Sequence, residues 1–503
     1  MTKPGSRRAS LVTSTIFSLL SWFLPIIIGF IATPLIVKSL GNRDYGLYAI
    51  ILGFIGYSFS FGIGKILVKY IAEYRASGQT EKIGEVVSAT FWLSFLVAIG
   101  GISIVAVSAR FIVTEVLFLP EDQQRVAEIG LYLACAAIIA TMLSQIFQFI
   151  LQGLHRFSSY LLLINISGVV LNAGNIGLAV TGYGIAALLT WNFIALFIMA
   201  AAFGFDAVRH LPEFSLRLNL RSKEWSSVLR YGSNIILYQI FGNVLLAFER
   251  GWIVRKFGAE AATFYLVPMT LAIYLHGIVG SSGLVLFPLV NELLTDRERL
   301  IALYEKASKL MFALIAFLAV ALIFGGQPLL RVWMNDEIAS RSYLILVIHT
   351  LTFALIAGMM IVWSLAEGFR FPFYNTLATL VWMLVGIPLM VLTADRWNIE
   401  GIAASRLAGV AITLPVLFMI EKRCLGGIRW RFWRSTLWRI GVASLVMIAV
   451  LTGYFHFFEP KWLVLVSGFA AGGIAFFISL LAVGFFTTDE REMFVNIIFR
   501  RRV

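Results

Sequence analysis

Short sequence blocks from the first half of this chain return, in the same order, in the second half. The block IVKSLG at 36–41 returns as IVRKFG at 253–258, and the block GIAA at 184–187 returns unchanged at 401–404. Both pairs are 217 positions apart, so the register is kept across most of each half. The chain therefore contains an internal duplication, and its two halves should fold into related units.

The composition excludes a water-soluble fold. Hydrophobic residues make up 60% of the chain and charged residues 13%, whereas soluble domains carry about 25% charged residues. Because a chain inside lipid must satisfy its own backbone groups, we expect an all-α polytopic membrane protein. About fourteen apolar segments have spanning length: 12–37, 46–68, 86–108, 129–152, 159–180, 184–206, 231–254, 262–289, 309–330, 343–366, 371–393, 399–420, 438–458 and 462–485.

A formal charge of +13 would suit a nucleic-acid-binding protein, but the distribution of the charges argues against nucleic acid as a partner. If the amino terminus is cytoplasmic, most of the 40 Lys and Arg residues fall on the cytoplasmic side. This asymmetry predicts two cytoplasmic termini and basic loops that contact anionic membrane lipids. Cys135 and Cys424 lie far apart, so neither a disulfide framework nor a metal site is expected, and no cofactor is indicated.

The spans group into two units of six and a final pair. The dipeptides Gln152-Gly153 and Glu367-Gly368 recur near the same spacing as the longer blocks. Because six is even, both units enter the membrane in the same orientation and should be related by an axis along the membrane normal, with a substrate site between them. The predicted divisions are a six-helix lobe at 1–206, a cytoplasmic amphipathic linker at 207–230, a second six-helix lobe at 231–421, and a basic loop, helix pair and cytoplasmic tail at 422–503.

Motifs near the amino terminus carry a family resemblance. A short turn contains Gly41, Tyr45, Gly46 and Tyr48, and the stretch FGIGKILVKYIAEY follows at 61–74. Together with the Gln-Gly turn before the fifth span, these motifs resemble the polysaccharide transporter branch of the multidrug, oligosaccharidyl-lipid and polysaccharide exporter superfamily.

The resemblance implies both an architecture and a function. Two six-helix lobes would form a V around a cavity that is often cationic in such proteins. The expected activity is a flippase that moves an undecaprenyl-diphosphate-linked oligosaccharide from the inner to the outer leaflet, for O-antigen or exopolysaccharide biosynthesis. The expected location is a bacterial or archaeal inner membrane, where a polysaccharide polymerase and chain-length machinery would be partners.

Amide side chains recur at helical spacing in several spans. Lipid offers an amide no hydrogen-bond partner, so these groups must face protein or water. Two interpretations are open: the amides line a path for the saccharide, or they join neighbouring helices by hydrogen bonds. They are Gln145, Gln148 and Gln152 on the fourth span, Asn165, Asn172 and Asn175 on the fifth, and Gln239 and Asn243 on the seventh.

Two arginines are the leading candidates for contact with a diphosphate headgroup. Arg406 lies about seven residues into the twelfth span, and Arg250 lies near the outer end of the seventh. A cation within a span costs roughly 2.5–3.5 kcal/mol, so each needs a partner or a wet cavity. Arginine binds phosphate oxygens in pairs and keeps its proton. The alternatives are a structural pair for Arg406 and a headgroup anchor for Arg250.

Further charged or titratable residues complete the predicted site. Lys65, near the cytoplasmic end of the second span, would capture the diphosphate, or would only extend its charge to the interface. Lys38 and Arg255 occupy equivalent positions in the two repeats, and would receive the headgroup on the outer side. Glu249 and His276 are candidates for ion coupling, although a buried neutral histidine is the simpler interpretation of His276.

Other classes of protein remain as alternatives. A drug/cation antiporter of the same superfamily is the nearest, but it should carry acidic residues deep in its spans, whereas the deepest charge here is cationic. A membrane enzyme of glycan assembly is less favoured, because the sequence has no HExxH, no phosphate-binding GK[ST] loop and no DxD motif. We therefore expect a transporter and not an enzyme.

Overall fold

The computed structural model describes residues 24–57, 64–211, 214, 216–217, 223–293, 296–369, 371–487 and 490. Within these residues the chain is all-α and contains no strand. One π-helical turn, Ile112–Val116, follows α4. The helices are α1 (Leu24–Leu40), α2 (Asn42–Tyr57), α3 (Gly64–Ala76), α4 (Glu81–Phe111), α5 (Glu121–Gly153), α6 (Phe157–Val180), α7 (Ile185–His210), α8 (Lys223–Glu292), α9 (Arg297–Phe324), α10 (Gly326–Trp333), α11 (Asp336–Gly368), α12 (Phe373–Ala411), α13 (Leu414–Leu425), α14 (Trp430–Phe457) and α15 (Trp462–Ala482).

Ten segments of the described chain are long and apolar enough to cross a membrane. Two of them, Ile236–Gly280 with 45 residues and Phe373–Leu425 with 53, are too long for one crossing, which takes about 20 residues. Each contains a backbone break that divides it into two crossings. The breaks lie at Gly258 (φ 81°, ψ 171°) in α8 and at Asn398 (φ 48°, ψ −141°) in α12.

Dividing the two long segments at these breaks turns the ten segments into twelve crossings. The first predicted span corresponds to α1, and the second to α2 with α3; residues 12–23 and 58–63 lie outside the described chain. With these two added, the helices match the fourteen segments predicted from hydropathy. The expectation of an all-α polytopic membrane protein is therefore confirmed.

The duplication is visible in the helix boundaries. Helices α5 and α11 both have 33 residues, and α11 begins and ends 215 positions after α5. Their C-cap residues have nearly the same backbone, with Leu154 at φ −80°, ψ 3° and Phe369 at φ −77°, ψ 6°. Equivalent segments of the two repeats therefore adopt the same local structure.

Equivalent glycines also end equivalent helical segments. Gly41 and Gly258 both take left-handed backbone angles, with φ of 79° and 81°, which a residue without a Cβ adopts at little cost. Before each glycine, a basic residue is exposed, Lys38 in one repeat and Arg255 in the other. The repeated sequence block thus encodes a repeated turn.

The chain divides into two compact units whose boundaries differ from those of the predicted lobes. The first comprises Met1–Val267 and Asn375–Ser405, and the second Pro268–Tyr374 and Arg406–Val503. In the first, Val86, Val87 and Phe203 belong to a buried apolar core, and in the second Met447 and Phe476 do so. The assignment of two six-helix lobes, a linker and a carboxy-terminal segment stays a prediction, as does their arrangement in a V.

Helices occupy part of two segments that hydropathy left as connections. The linker predicted at 207–230 contains the end of α7 at His210 and the start of α8 at Lys223. The basic run before the thirteenth span is also helical, because α14 begins at Trp430 rather than near 438. Its first turn is held by Glu421 of α13, which accepts a hydrogen bond from the Arg429 amide at 3.2 Å. Hydropathy missed this turn because its arginines lower the local average.

Candidate functional site

In the first unit, a carboxylate is enclosed within the protein near the predicted outer end of the first crossing of α8. Glu249 is only 1% exposed, and its Oε1 atom accepts a hydrogen bond from the hydroxyl of Tyr265. The repeat partner of Tyr265 is Tyr48, which is also buried. The two equivalent tyrosines therefore both point into polar surroundings, but their partners differ.

Tyr48 belongs to a buried amide network. The Nδ2 atom of Asn192 lies 3.2 Å from the Tyr48 hydroxyl, 2.9 Å from Asn175 Oδ1 and 2.7 Å from the Leu188 carbonyl oxygen. Sequence patterns singled out Asn175 but missed Asn192. Asn192 stands alone on α7 without a helical stripe, and only the packing of α2, α6 and α7 brings its partners together.

Arg250 points from α8 toward α2 within the same unit. A Cβ atom built on Gly53 would lie 1.4 Å from the Arg250 Nη1 atom, so the glycine makes room for the guanidinium. Arg250 also interacts electrostatically with Tyr45, whose hydroxyl forms a hydrogen bond with Thr33. The arginine is thus packed inside the bundle among polar groups of α1 and α2.

Just before its break at Gly258, α8 carries a further basic residue, Arg255. Arg255 donates hydrogen bonds to the carbonyl oxygens of Glu115 and Val116, the latter at 3.1 Å, and its Cζ atom lies 4.9 Å from the centroid of the Phe118 ring. Arg255 therefore caps the carboxyl end of the π-helical turn. Its repeat partner Lys38 is exposed.

The amide side chains of the predicted stripes differ in their hydrogen bonding. Gln148 donates to the Ser144 hydroxyl at 2.8 Å and Asn172 to the Gly168 carbonyl at 2.9 Å, both within their own helices. Asn243 differs, because its Nδ2 atom is buried and has no hydrogen-bond partner among the described residues. The remaining members are half-buried: Gln145, Gln152, Asn165 and Gln239.

In the second unit, one aromatic ring contacts two predicted site residues. Arg406 is 3% exposed, and its Cζ atom lies 5.2 Å from the centroid of the Phe353 ring. The ring of His276 meets the same phenylalanine edge-on, with 6.1 Å between centroids. Phe353 therefore links α8, α11 and α12 at this point, and sequence reasoning missed it because one phenylalanine among 42 carries no signal.

The structure brings some predicted residues together and leaves others apart. Glu249, Arg250 and Arg255 lie along one stretch of α8 in the first unit, whereas Arg406 and His276 share Phe353 in the second. Lys65 is part of α3, but its side chain lies outside the described residues. Within the described chain, no group of three or more His, Cys, Asp or Glu residues could hold a metal ion.

Comparison with solved structures defines the class of fold. The structure matches the lipid II flippase MurJ in an inward closed conformation with a TM-score of 0.67 at 15% identity, covering 93% of this chain and 98% of MurJ. A multidrug resistance MATE family transporter in an inward-facing conformation matches with a TM-score of 0.64 at 14% identity, covering 81% of this chain and 94% of that one. The chain therefore has the MurJ- and MATE-like fold of membrane transporters.

Sequence comparison gives the family. Residues 11–294, more than half of the chain, match the model of the polysaccharide biosynthesis protein family, and the chain belongs to that family. A similar protein from Shigella flexneri, named "Putative O-antigen transporter", is 19% identical over 407 residues, covering 79% of this chain and 94% of that protein. Family and fold are those of a transporter in the predicted exporter superfamily, and they agree with the expectation that the chain is not an enzyme.

Proposed function

We propose that this protein is a flippase that moves an undecaprenyl-diphosphate-linked oligosaccharide from the inner to the outer leaflet by alternating access. Its role would be O-antigen or exopolysaccharide biosynthesis. The observation that carries the proposal is a pair of arginines packed among apolar helices: Arg250, half-buried beside Gly53, and Arg406, buried against Phe353. Family membership and the names of the MurJ and Shigella proteins support the same class of substrate.

Fixed arginines suit a lipid diphosphate for electrostatic reasons. The headgroup carries at least two negative charges, and burying an unpaired charge in a hydrocarbon layer of about 30 Å costs several kcal/mol or more. Arg406 and Arg250 would replace water around the phosphate oxygens by charge-assisted hydrogen bonds. Lys65 would bind the headgroup on the cytoplasmic side, and Lys38 and Arg255 would receive it outside.

The path of the saccharide would be lined by amides of the predicted stripes. Asn243 fits this role best, because its buried amide nitrogen has no hydrogen-bond partner among the described residues. Gln239 lies one helical turn earlier on the same face. Gln145 and Asn165 are half-buried and remain candidates. Gln148 and Asn172 are weaker candidates, because their amides already bond within their own helices.

Close packing of α2 against α8 supports alternating access. A Cβ atom on Gly46 would lie 1.8 Å from the Ala259 carbonyl oxygen, and the Thr263 hydroxyl donates to the Asn42 carbonyl oxygen. These contacts lie next to Gly41 and Gly258, the repeat-related turns that the charge distribution assigns to the outer face. Separating the two helices there would open a path outward.

The expected cellular location, partners and energy source follow from this function. The protein would lie in the inner membrane of a bacterium or archaeon, with both termini in the cytoplasm, as the positive-inside rule predicts. A polymerase and chain-length machinery would act on the glycan after translocation. Glu249 and His276 would be the groups through which an ion gradient drives the cycle.

A drug/cation antiporter is the second candidate, and one observation favours it. Glu249 is a buried carboxylate held by Tyr265, and a group of this kind can bind a cation or a proton. The MATE transporters share the fold. Arg250 follows Glu249 directly in sequence, however, and a nearby guanidinium disfavours a second cation at this position.

Deleting the gene in its host separates the two candidates. A flippase deletion should remove the surface glycan and cause lipid-linked oligosaccharide to accumulate on the inner leaflet, without altering drug susceptibility. Complementation with the unaltered gene should reverse both glycan changes. Increased drug sensitivity with normal surface glycan would establish the antiporter instead.

A further inference from the structure

The arginine- and tryptophan-rich start of α14 has two different faces. One face holds the helix to the rest of the second unit: Arg429 Nε donates to Glu305 Oε1 at 2.8 Å, and Trp433 Nε1 donates to Glu421 Oε1 at 3.1 Å. Glu421 is 1% exposed. The ring of Trp433 also meets that of Phe312, with 5.0 Å between centroids. These contacts fix the rotation of α14 about its axis.

The other face presents arginines outward. Arg431 and Arg434 are exposed, one turn apart, and form no ion pair with any described residue. Trp430 and Trp438 flank them at 60% and 51% exposure. At 100° per residue, these four side chains fall on one side of the helix, within an arc of about 100°, and Arg429 lies on the other side. Because α14 contains no acidic residue, nothing on the helix itself neutralises this surface.

A third arginine lies beside this surface rather than on it, because at 100° per residue Arg439 falls about 140° from Arg434. Arg439 is half-buried, and its Cζ atom lies 5.7 Å from the centroid of the Trp438 ring. Its Nε–H group is buried and has no hydrogen-bond partner among the described residues.

The same face continues into an apolar stripe. Leu437, Val442 and Leu445 follow on it and are exposed at 48%, 38% and 66%. A molecule that contacts both parts must have an anionic, oxygen-rich head and hydrocarbon chains along the next turns of the helix. Trp438 lies between the arginines and the apolar stripe, and tryptophan is typical of the boundary between headgroups and hydrocarbon.

We propose that Arg431, Arg434 and Trp438 form a binding site for one anionic phospholipid of the surrounding bilayer. The phosphate would contact the two exposed guanidinium groups, and the acyl chains would lie on Leu437, Val442 and Leu445. Arg429 and Trp433 in the same helix turns are bonded to Glu305 and Glu421, so a lipid bound here would brace the junction of α9, α13 and α14. This site is independent of the proposed flippase substrate.

Lipid binding by the purified full-length chain tests the proposal. The protein in a neutral detergent would be titrated with phosphatidylglycerol or phosphatidylcholine, and bound lipid counted by native mass spectrometry. We expect one phosphatidylglycerol to be retained in preference to phosphatidylcholine. Arg431→Gln with Arg434→Gln should weaken that binding roughly 30-fold, since each basic residue near a membrane surface contributes about fivefold.

Matched variants make the outcome decisive. Arg110→Gln with Arg396→Gln removes the same charge from two other exposed arginines and should leave the retained lipid unchanged. Arg431→Lys with Arg434→Lys should retain part of the affinity, which separates loss of charge from loss of fold. Equal binding by the double glutamine variant and the unaltered protein would overturn the proposal, and so would equal losses in both glutamine pairs. Retention of a lipid diphosphate, or of an acidic peptide, in place of phosphatidylglycerol would also refute it.

Discussion

The guanidinium of Arg406 packs over the ring of Phe353, with 5.2 Å between Cζ and the ring centroid. The arginine is 3% exposed and the phenylalanine 7%. A desolvated cation–π contact contributes about 2 kcal/mol or more, so the ring offsets part of the cost of keeping a cation inside the membrane. Phe353 therefore holds Arg406 in place within the second unit.

Replacing Phe353 should show whether this contact positions the arginine. Phe353→Leu keeps an apolar side chain but removes the ring, and we expect export of surface glycan to fall about tenfold with protein abundance unchanged. Phe353→Tyr keeps the ring face and should retain most of the export. Glycan staining, normalised to the amount of protein in the membrane, measures both. Equal export by the two variants would show that the ring does not act through Arg406.

Arg406 itself is predicted to be essential for transport. Arg406→Ala should reduce surface glycan by roughly 10- to 100-fold while the protein remains abundant, because a charge-assisted contact with the diphosphate is lost. Arg406→Lys should restore only part of the activity, since an ammonium lacks the two-pronged geometry of a guanidinium. Full export by the alanine variant would remove Arg406 from the mechanism. Loss of the protein itself would indicate a structural role.

The buried amide network should matter for stability. Asn192→Ala leaves Asn175 and the Tyr48 hydroxyl without the Nδ2 donor, and an unsatisfied buried group costs about 1–3 kcal/mol. We expect a lower apparent midpoint of thermal unfolding in detergent. Asn172→Ala is the control, because the Asn172 amide donates to Gly168 of its own helix. Similar midpoints for the two variants would contradict a structural network at Asn192.

Sequence predicted the local features of this molecule better than its contacts. The membrane spans follow from hydropathy, and the repeated turn at Gly41 and Gly258 follows from glycine in a duplicated block. Both signals can be read along the sequence. The partner of Tyr48 is an amide on α7, and the partner of Tyr265 is a carboxylate on the other side of the break in α8; no sequence period relates them. The site residues therefore remain predictions, although the fold and the family are established.

Hydropathy averaging also concealed the two faces of the basic run before α14. Arg429 and Arg431 are two positions apart, yet one binds Glu305 and the other is exposed. Their difference follows from the helix rotation that Trp433 fixes through Glu421. A run of alternating Arg and aromatic residues is equally consistent with a loop or with either rotation of a helix.

A pH-dependent contact is expected where the chain after α15 meets α9. Lys309 Nζ lies 2.6 Å from Glu490 Oε2 and packs over the rings of Phe485 and Phe486. Burial alone would raise the pKa of Glu490, but hydrogen bonds from Lys309 and from the Thr487 amide hold that pKa below its usual value of 4.5. A carboxylate whose pKa is lower in the folded state than in the unfolded state stabilises the folded state at neutral pH. This contribution to stability is lost as the pH falls through the folded-state pKa.

Glu490→Gln should therefore lower the unfolding midpoint at pH 7. The difference from the unaltered protein should shrink as the pH is lowered past 4.5. Glu459→Gln, which changes an exposed carboxylate after α14, is the matched control and should show little difference at either pH. A difference that persists unchanged at low pH would mean that the Glu490 carboxylate charge does not stabilise this contact.

The approach of α2 to α8 at Gly46 gives the sharpest steric prediction. A Cβ there would lie 1.8 Å from the Ala259 carbonyl oxygen and 3.0 Å from the Thr263 Oγ1 atom, and the backbone oxygen has little freedom to move. Gly46→Ala should therefore push the two helices apart and cost about 1–3 kcal/mol. Gly168→Ala on α6 meets nothing within 4 Å and should be neutral or slightly stabilising, because alanine favours helix. Unfolding midpoints measured at one scan rate compare the two, and a Gly46→Ala protein as stable as Gly168→Ala would show that α2 and α8 are not packed this closely.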